Sequence, residues 1–168
     1  MHADPSELGF LRHTLATLAY RAEKVLREPP GGFAELRLDP RSRSAAELAA
    51  HLGDLMEWAE SLAAGRWDWK AAAAGSLESD TARFFAAIAR LDAALASGRA
   101  TGHPPQVIFQ GPIADALTHV GQLALLRGIA GAPVRPESYG RARIEIGRVG
   151  REQSAERREF DGDASAKG

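Results

Sequence analysis

The sequence predicts an all-α protein: a four-helix bundle, followed by a short extended segment and a disordered charged tail. Three observations lead there. Apolar residues recur at alternating spacings of three and four in separate stretches of roughly twenty residues. Glycine or proline punctuates the ends of most of these stretches. The connections between them are about ten to fifteen residues long, which leaves room for crossovers.

The first stretch carries Leu8, Leu11, Leu15, Leu18, Ala22 and Val25 on one stripe and is stopped by Pro29, Pro30, Gly31 and Gly32. The second opens with Ser44-Ala45-Ala46-Glu47, a capping-box pattern, and runs through Leu48, Leu52, Leu55, Ala59 and Leu62 to Gly65. The third extends from about Ser79 to Ser97, with Phe84, Ile88, Leu91 and Leu95 inward and Gly98 as its stop. The fourth is expected to begin at Gly111-Pro112, because proline suits a first helical position, and to end at Gly131 before Pro133. Beyond it, Ala142, Ile144 and Ile146 alternate with Arg143 and Glu145, as in an extended segment. Residues after Gly150 are charged and small, without apolar periodicity, and read as disordered.

A chain of 168 residues fits one domain, here 1–150, with a flexible tail over 151–168. An apolar fraction of 45% and a charged fraction of 26% are those of a folded, water-soluble domain. A net charge of -1, with both signs dispersed, gives no footprint for nucleic acid or an anionic membrane. No membrane-spanning run or basic leader is visible, so the expected location is cytoplasmic. With no cysteine, any metal must be held by His, Asp or Glu.

The chemistry concentrates on the second and fourth helices. At about 100° per residue, Asp115, His119 and Gln122 fall within a wedge of roughly 60°. Their surroundings, including Leu126, Ile129 and Ala130, are apolar, which turns the wedge toward the interior. On the second helix His51 lies at the edge of the apolar face between Leu48 and Leu55, near Trp58, with Glu47 and Asp54 placed to steady its imidazole. Two histidines and one carboxylate with an open position form a divalent-metal ligand set. A plainer reading stands beside it: His51 as a hydrogen-bonded core histidine, and Asp115 with His119 as an intrahelical pair.

HLGDLMEWA around His51, DALTHVGQLALLRGIAGAPV with its H-x-GQ-x-x-x-LR block, and SYGRARIEIGRVG together resemble the DinB-like (DinB/YfiT) superfamily over most of the chain to about Gly150. The resemblance implies a four-helix bundle with crossover wiring. It also implies one divalent metal (Zn, Ni, Fe or Mn) held by one histidine of the second helix and an H-x-x-x-H pair of the last. His51 and His119 match two of those ligands, and Asp115 stands where the first histidine of the pair is expected. The ligand set implied is therefore His51, Asp115 and His119, with Gln122 binding substrate or water and Glu47 or Asp54 orienting His51. The activity implied is transfer or addition of a low-molecular-weight thiol to an electrophilic small molecule, as in bacillithiol or mycothiol S-transferases and maleylpyruvate isomerase. The competing expectation is a non-enzymatic, stress-related binding module or homodimer whose metal site has degenerated.

Other polar residues carry weaker expectations. His13 projects to solvent, while His103 in GHPPQ and the terminal His2 have no defined partner. Asp92, on the inner side of the third helix, calls for an arginine. Trp67 and Trp69 either cover a bundle end or line an entrance, and Arg127 is expected at the surface, at a subunit contact or on an anionic substrate.

Overall fold

The computed structural model describes residues 5–99 and 101–160. Helix α1 spans Pro5–Leu26, α2 Ala45–Ala63 and α3 Leu77–Ala96. The last helical run is built from a short α4 (Pro105–Ile108), a π-helical turn (Phe109–Ile113) and α5 (Ala114–Ile129). Backbone approaches pair α2 with α3 and α5, and α1 with α3 and α5, leaving α1 opposite α2 and α3 opposite α5. Helices adjacent in sequence thus stand on both diagonals, and their connections cross the ends of the bundle.

The predicted stripes form the core. Leu11, Leu15 and Leu18 of α1, Leu52, Leu55 and Leu62 of α2, and Phe84, Ile88 and Leu91 of α3 are fully or almost fully buried. Burial of each such side chain contributes about 1.5–3 kcal/mol before chain entropy is set against it. The Ser44 hydroxyl accepts from the Glu47 N–H at 3.2 Å, and the Glu47 carboxylate accepts from the Ser44 N–H at 2.7 Å, so the capping box fixes where α2 begins.

The fourth helix differs from its expected start. Its first turn begins at Pro105, and Pro112 lies inside the run. Proline within a helix lacks a donor and its ring collides with the carbonyl one turn back. The π-helical turn absorbs that conflict by widening the backbone locally. It also resets the phase of α5: Ala116, Val120 and Leu123 are buried, whereas Leu117 and Ala124 are only half-buried.

Two expectations for the C-terminal region are corrected. Ala142, Ile144 and Ile146 form no strand; among the described residues the single β contact is an isolated antiparallel bridge between Glu137 and Glu159. Residues 151–160 are not a free tail but a strap on α1. The Phe160 N–H donates to the Pro136 carbonyl at 3.1 Å, and the Ser138 N–H to the Arg158 carbonyl at 3.0 Å. The strap is held by charge, which explains why apolar periodicity misses it. Lys24 Nζ lies 2.6 Å from Glu137 and 2.9 Å from Glu159, Tyr20 donates to Glu137, and Arg157 pairs with Glu23 at 2.7 Å. The domain accordingly extends to Phe160; the expected disorder of 161–168 falls outside the described residues.

Two arginines tie the bundle together. Arg12 makes a bidentate contact with buried Asp92, at 2.8 and 3.0 Å, the partner that acid requires. Arg127 is turned back onto its own chain: its guanidinium donates to the carbonyls of Val25, Arg27 and Glu28 at the end of α1. Those carbonyls have no helical partner of their own, and the cation also suits the negative end of the helix.

Candidate metal centre

His51 on α2 and Asp115 and His119 on α5 meet at one place. His51 Nε2 lies 3.5 Å from Asp115 Oδ2, and His119 Nε2 lies 3.3 Å from Asp115 Oδ1. One ligand atom from each residue falls within 4.8 Å of the others. The imidazole rings meet edge to face with centroids 4.7 Å apart. His119 is buried, His51 is mostly buried, and the Asp115 side chain is 47% exposed, so the group sits at the rim of the core with one side open.

Gln122 decides the state of His119. Its Oε1 lies 2.9 Å from His119 Nδ1, a contact that suits the tautomer with the hydrogen on Nδ1. In the neutral ring Nε2 is then bare, with its lone pair toward a carboxylate oxygen. Neither carboxylate contact closes as a hydrogen bond, and both exceed the about 2.7–2.9 Å of a charge-assisted one. Donor atoms on a tetrahedral ion with bonds of about 2.0–2.1 Å lie about 3.3–3.4 Å apart. Two imidazole nitrogens and a carboxylate oxygen gathered within 4.8 Å make a group that could hold a metal ion.

The proton affinity of His51 is depressed, first by burial and then by the charges of Arg43 and His119, against a smaller opposing pull from Asp115. A neutral imidazole is the form that ligates metal.

The orienting residues differ from expectation. Glu47 does not steady His51: its carboxylate is engaged by the Ser44 N–H and lies 3.2 Å from Arg37. Asp54 does not either, because it accepts from Arg83 at 2.9 Å and from the Ala72 N–H at 3.2 Å. Glu47 serves the capping box of its own helix and Arg37 of the preceding loop, while Asp54 is taken by Arg83 of α3 and the Ala72 N–H of the α2–α3 loop. Gln122 is exposed and supports His119.

The loop between α2 and α3 brings aromatic rings to the site. Trp69 meets the His51 ring edge-on at 5.7 Å and packs on Trp58 at 5.5 Å, while Trp67 bridges Trp58 and His103. Gly111 in the π-helical turn admits Trp58, since a Cβ there would stand 3.2 Å from the indole. Arg43, on the loop before α2, completes the surroundings, and no sequence signal marked it because loops have no helical phase. His13 is exposed, as expected.

Compared with family models, with curated proteins and with solved structures, the chain matched none. Among the described residues no helix is long and apolar enough to cross a membrane.

Proposed function

We propose that His51, Asp115 and His119 hold one divalent metal ion, and that the chain is a DinB-like enzyme adding or transferring a low-molecular-weight thiol to an electrophilic small molecule. The observation that carries this reading is the bare Nε2 of His119 facing the Asp115 carboxylate at 3.3 Å, an arrangement that a cation between them relieves. The resemblance of the HLGDLMEWA and THVGQLALLRG segments supplies the class of reaction.

A divalent ion at this position would act as a Lewis acid that favours the thiolate form of a small thiol at neutral pH. The residues around it have separate tasks. Gln122 holds the His119 tautomer, the open side at half-exposed Asp115 admits the reactants, and Trp69 over His51 limits water on the opposite flank. The test is elemental analysis of untagged protein purified without chelator. Near one equivalent of a first-row metal is expected in the wild type, lost in H51A and H119A with helix content unchanged. A wild-type protein that neither carries metal nor takes up Zn²⁺, Ni²⁺, Fe²⁺ or Mn²⁺ contradicts the reading.

A second reading, a homodimeric binding module with a degenerate site, is favoured by exposed Phe10 on α1 and Ile129 on α5, at 67% and 51%. It predicts a metal-free dimer in sedimentation equilibrium.

A further inference from the structure

The loop from residue 27 to residue 44 carries three arginines toward the metal-ligand group. Two are spent. Arg37 donates to the Ser42 carbonyl and lies 3.2 Å from Glu47; Arg41 lies 3.1 Å from Asp39. Arg43 makes no hydrogen bond or ion pair among the described residues. The nearby acids are placed elsewhere: Glu47 with Arg37 and the α2 cap, Asp54 with Arg83, and Asp115 beside the two histidine Nε2 atoms at 3.5 and 3.3 Å.

Arg43 lines two cavities, one on each side of the histidines. The smaller, of about 410 Å³, is bordered by His51, Ala50 and Ala72. The larger, of about 680 Å³, has Arg41, Ser42, Arg43, His119 and Gln122 as its polar lining and Leu38, Leu48 and Leu125 as an apolar wall. Leu38 and Leu125 are 69% and 56% exposed, an unusual state for two leucines facing one cleft. A cavity of this volume suits a small organic ligand. Of the two guanidinium groups in this lining Arg41 is paired with Asp39, and Arg43 has no acid partner among the described residues; one unpaired positive charge favours a carboxylate, bound bidentately, over a phosphate dianion.

We infer that the larger cavity is a binding cleft for a small monocarboxylate with an apolar body, its carboxylate held by Arg43 and its hydrocarbon part laid against Leu38 and Leu125. The inference deepens the proposed function by naming the reactant's class, and rests on the metal reading only for the assignment of that ligand as a reactant. The carboxylate anchors the molecule while His119 and Gln122 stand at the same cleft, where its reactive carbon would be presented. The charge of Arg43 also opposes a second cation, so an ammonium in place of the carboxylate is rejected.

The test is a ¹H–¹⁵N NMR titration of the full chain with octanoate, using 1-octanol and inorganic phosphate as comparison probes and a parallel Zn²⁺ titration. Octanoate is expected to give saturable shifts at Leu125 and the Gln122 side chain, with binding about tenfold weaker in R43Q. R90Q should change it by less than about threefold, because Arg90 pairs with Glu60 and lines neither cavity. Octanol should bind the wild type about as poorly as octanoate binds R43Q. Equal octanoate binding by wild type and R43Q, or phosphate binding as tight as octanoate, overturns the inference. Arg43-dependent octanoate binding in a chain that takes up no Zn²⁺ upholds the cleft and defeats the metal reading; Zn²⁺ uptake without it defeats the cleft alone.

Discussion

Gln122 Oε1 lies 2.9 Å from His119 Nδ1, so an exposed glutamine one helical turn away determines which nitrogen of a buried histidine is free to ligate. Removing such an outer hydrogen bond usually costs about 10–100-fold in metal affinity. The Q122L variant is expected to fall in that range in a competitive chelator titration with Zn²⁺. Its thermal midpoint without metal should stay near the wild type, since Gln122 packs little. Unchanged Zn²⁺ affinity would show that Gln122 does not set the His119 tautomer.

Asp115 permits a test in which the sign of the effect reverses. In the metal-free protein its carboxylate faces the His119 lone pair, and in D115N an amide N–H can donate there instead. D115N without metal is therefore expected to be as stable as the wild type or more so, by up to about 1 kcal/mol, because the position is half-exposed. With metal the order inverts. At about 100 times its dissociation constant, Zn²⁺ should stabilise the wild type by about 2.7 kcal/mol, and a tenfold weaker D115N should gain about 1.4 kcal/mol less. Differential scanning calorimetry with and without Zn²⁺ reads both signs; a D115N that loses stability in both would mark the carboxylate as a hydrogen-bond partner only.

The proton affinity of His51 sets a pH dependence for the apo protein. Burial, then the charges of Arg43 and His119, place its pKa below the ordinary 6.5. The unfolded chain therefore binds a proton at a pH where the native state does not. The resulting stability is present above 6.5 and is lost as pH falls from there through the native pKa. Metal-free H51Q should lose less of its thermal midpoint than the wild type between about pH 7 and about pH 5. NMR titration of the His51 ring should show a midpoint below 6.5 that rises in R43Q; a midpoint at or above 6.5 contradicts the electrostatic account.

Helix phase made α1, α2 and α3 legible, and it placed Asp115, His119 and His51 together because ligands on two rigid helices inherit that phase. What escaped was set by other physics. Pro112 reads locally as a helix start, and only the packed bundle makes it tolerable as a π-helical turn. Glu47 was already committed to the capping box that the sequence shows, whereas Asp54 and Arg127 were drawn to Arg83 of α3 and to the end of α1, partners far off in sequence. The strap after Gly150 looked solvated because its charges are visible in sequence and their partners on α1 are not.

That strap yields the last prediction. Lys24 is 3% exposed at its side chain and Glu137 is fully buried, with Tyr20 and the Arg158 N–H donating to the same carboxylate. Burial pushes the Glu137 carboxyl up, but the hydrogen bonds from Lys24, Tyr20 and Arg158 outweigh it and hold it below the usual carboxylate range. The Tyr20 phenol is pushed up to about 12, by burial first and then by Glu137. Removing one member of a buried charge pair costs about 3–5 kcal/mol; Glu159 remains 2.9 Å from Lys24, so E137Q should sit at the low end. Because the native carboxyl is the stronger acid, its contribution is present above about pH 4.5 and disappears as pH falls through its native pKa. E137Q should therefore show a shallower acid-side loss than the wild type, and its Tyr20 should ionise at lower pH in an ultraviolet titration. Truncation after Gly150 tests the strap itself: it removes Arg157 and Glu159, leaves Glu23 only Arg27 at 3.5 Å, and should lower the denaturant midpoint. A truncated chain as stable as the full one would mean that residues 151–160 rest on α1 without stabilising it.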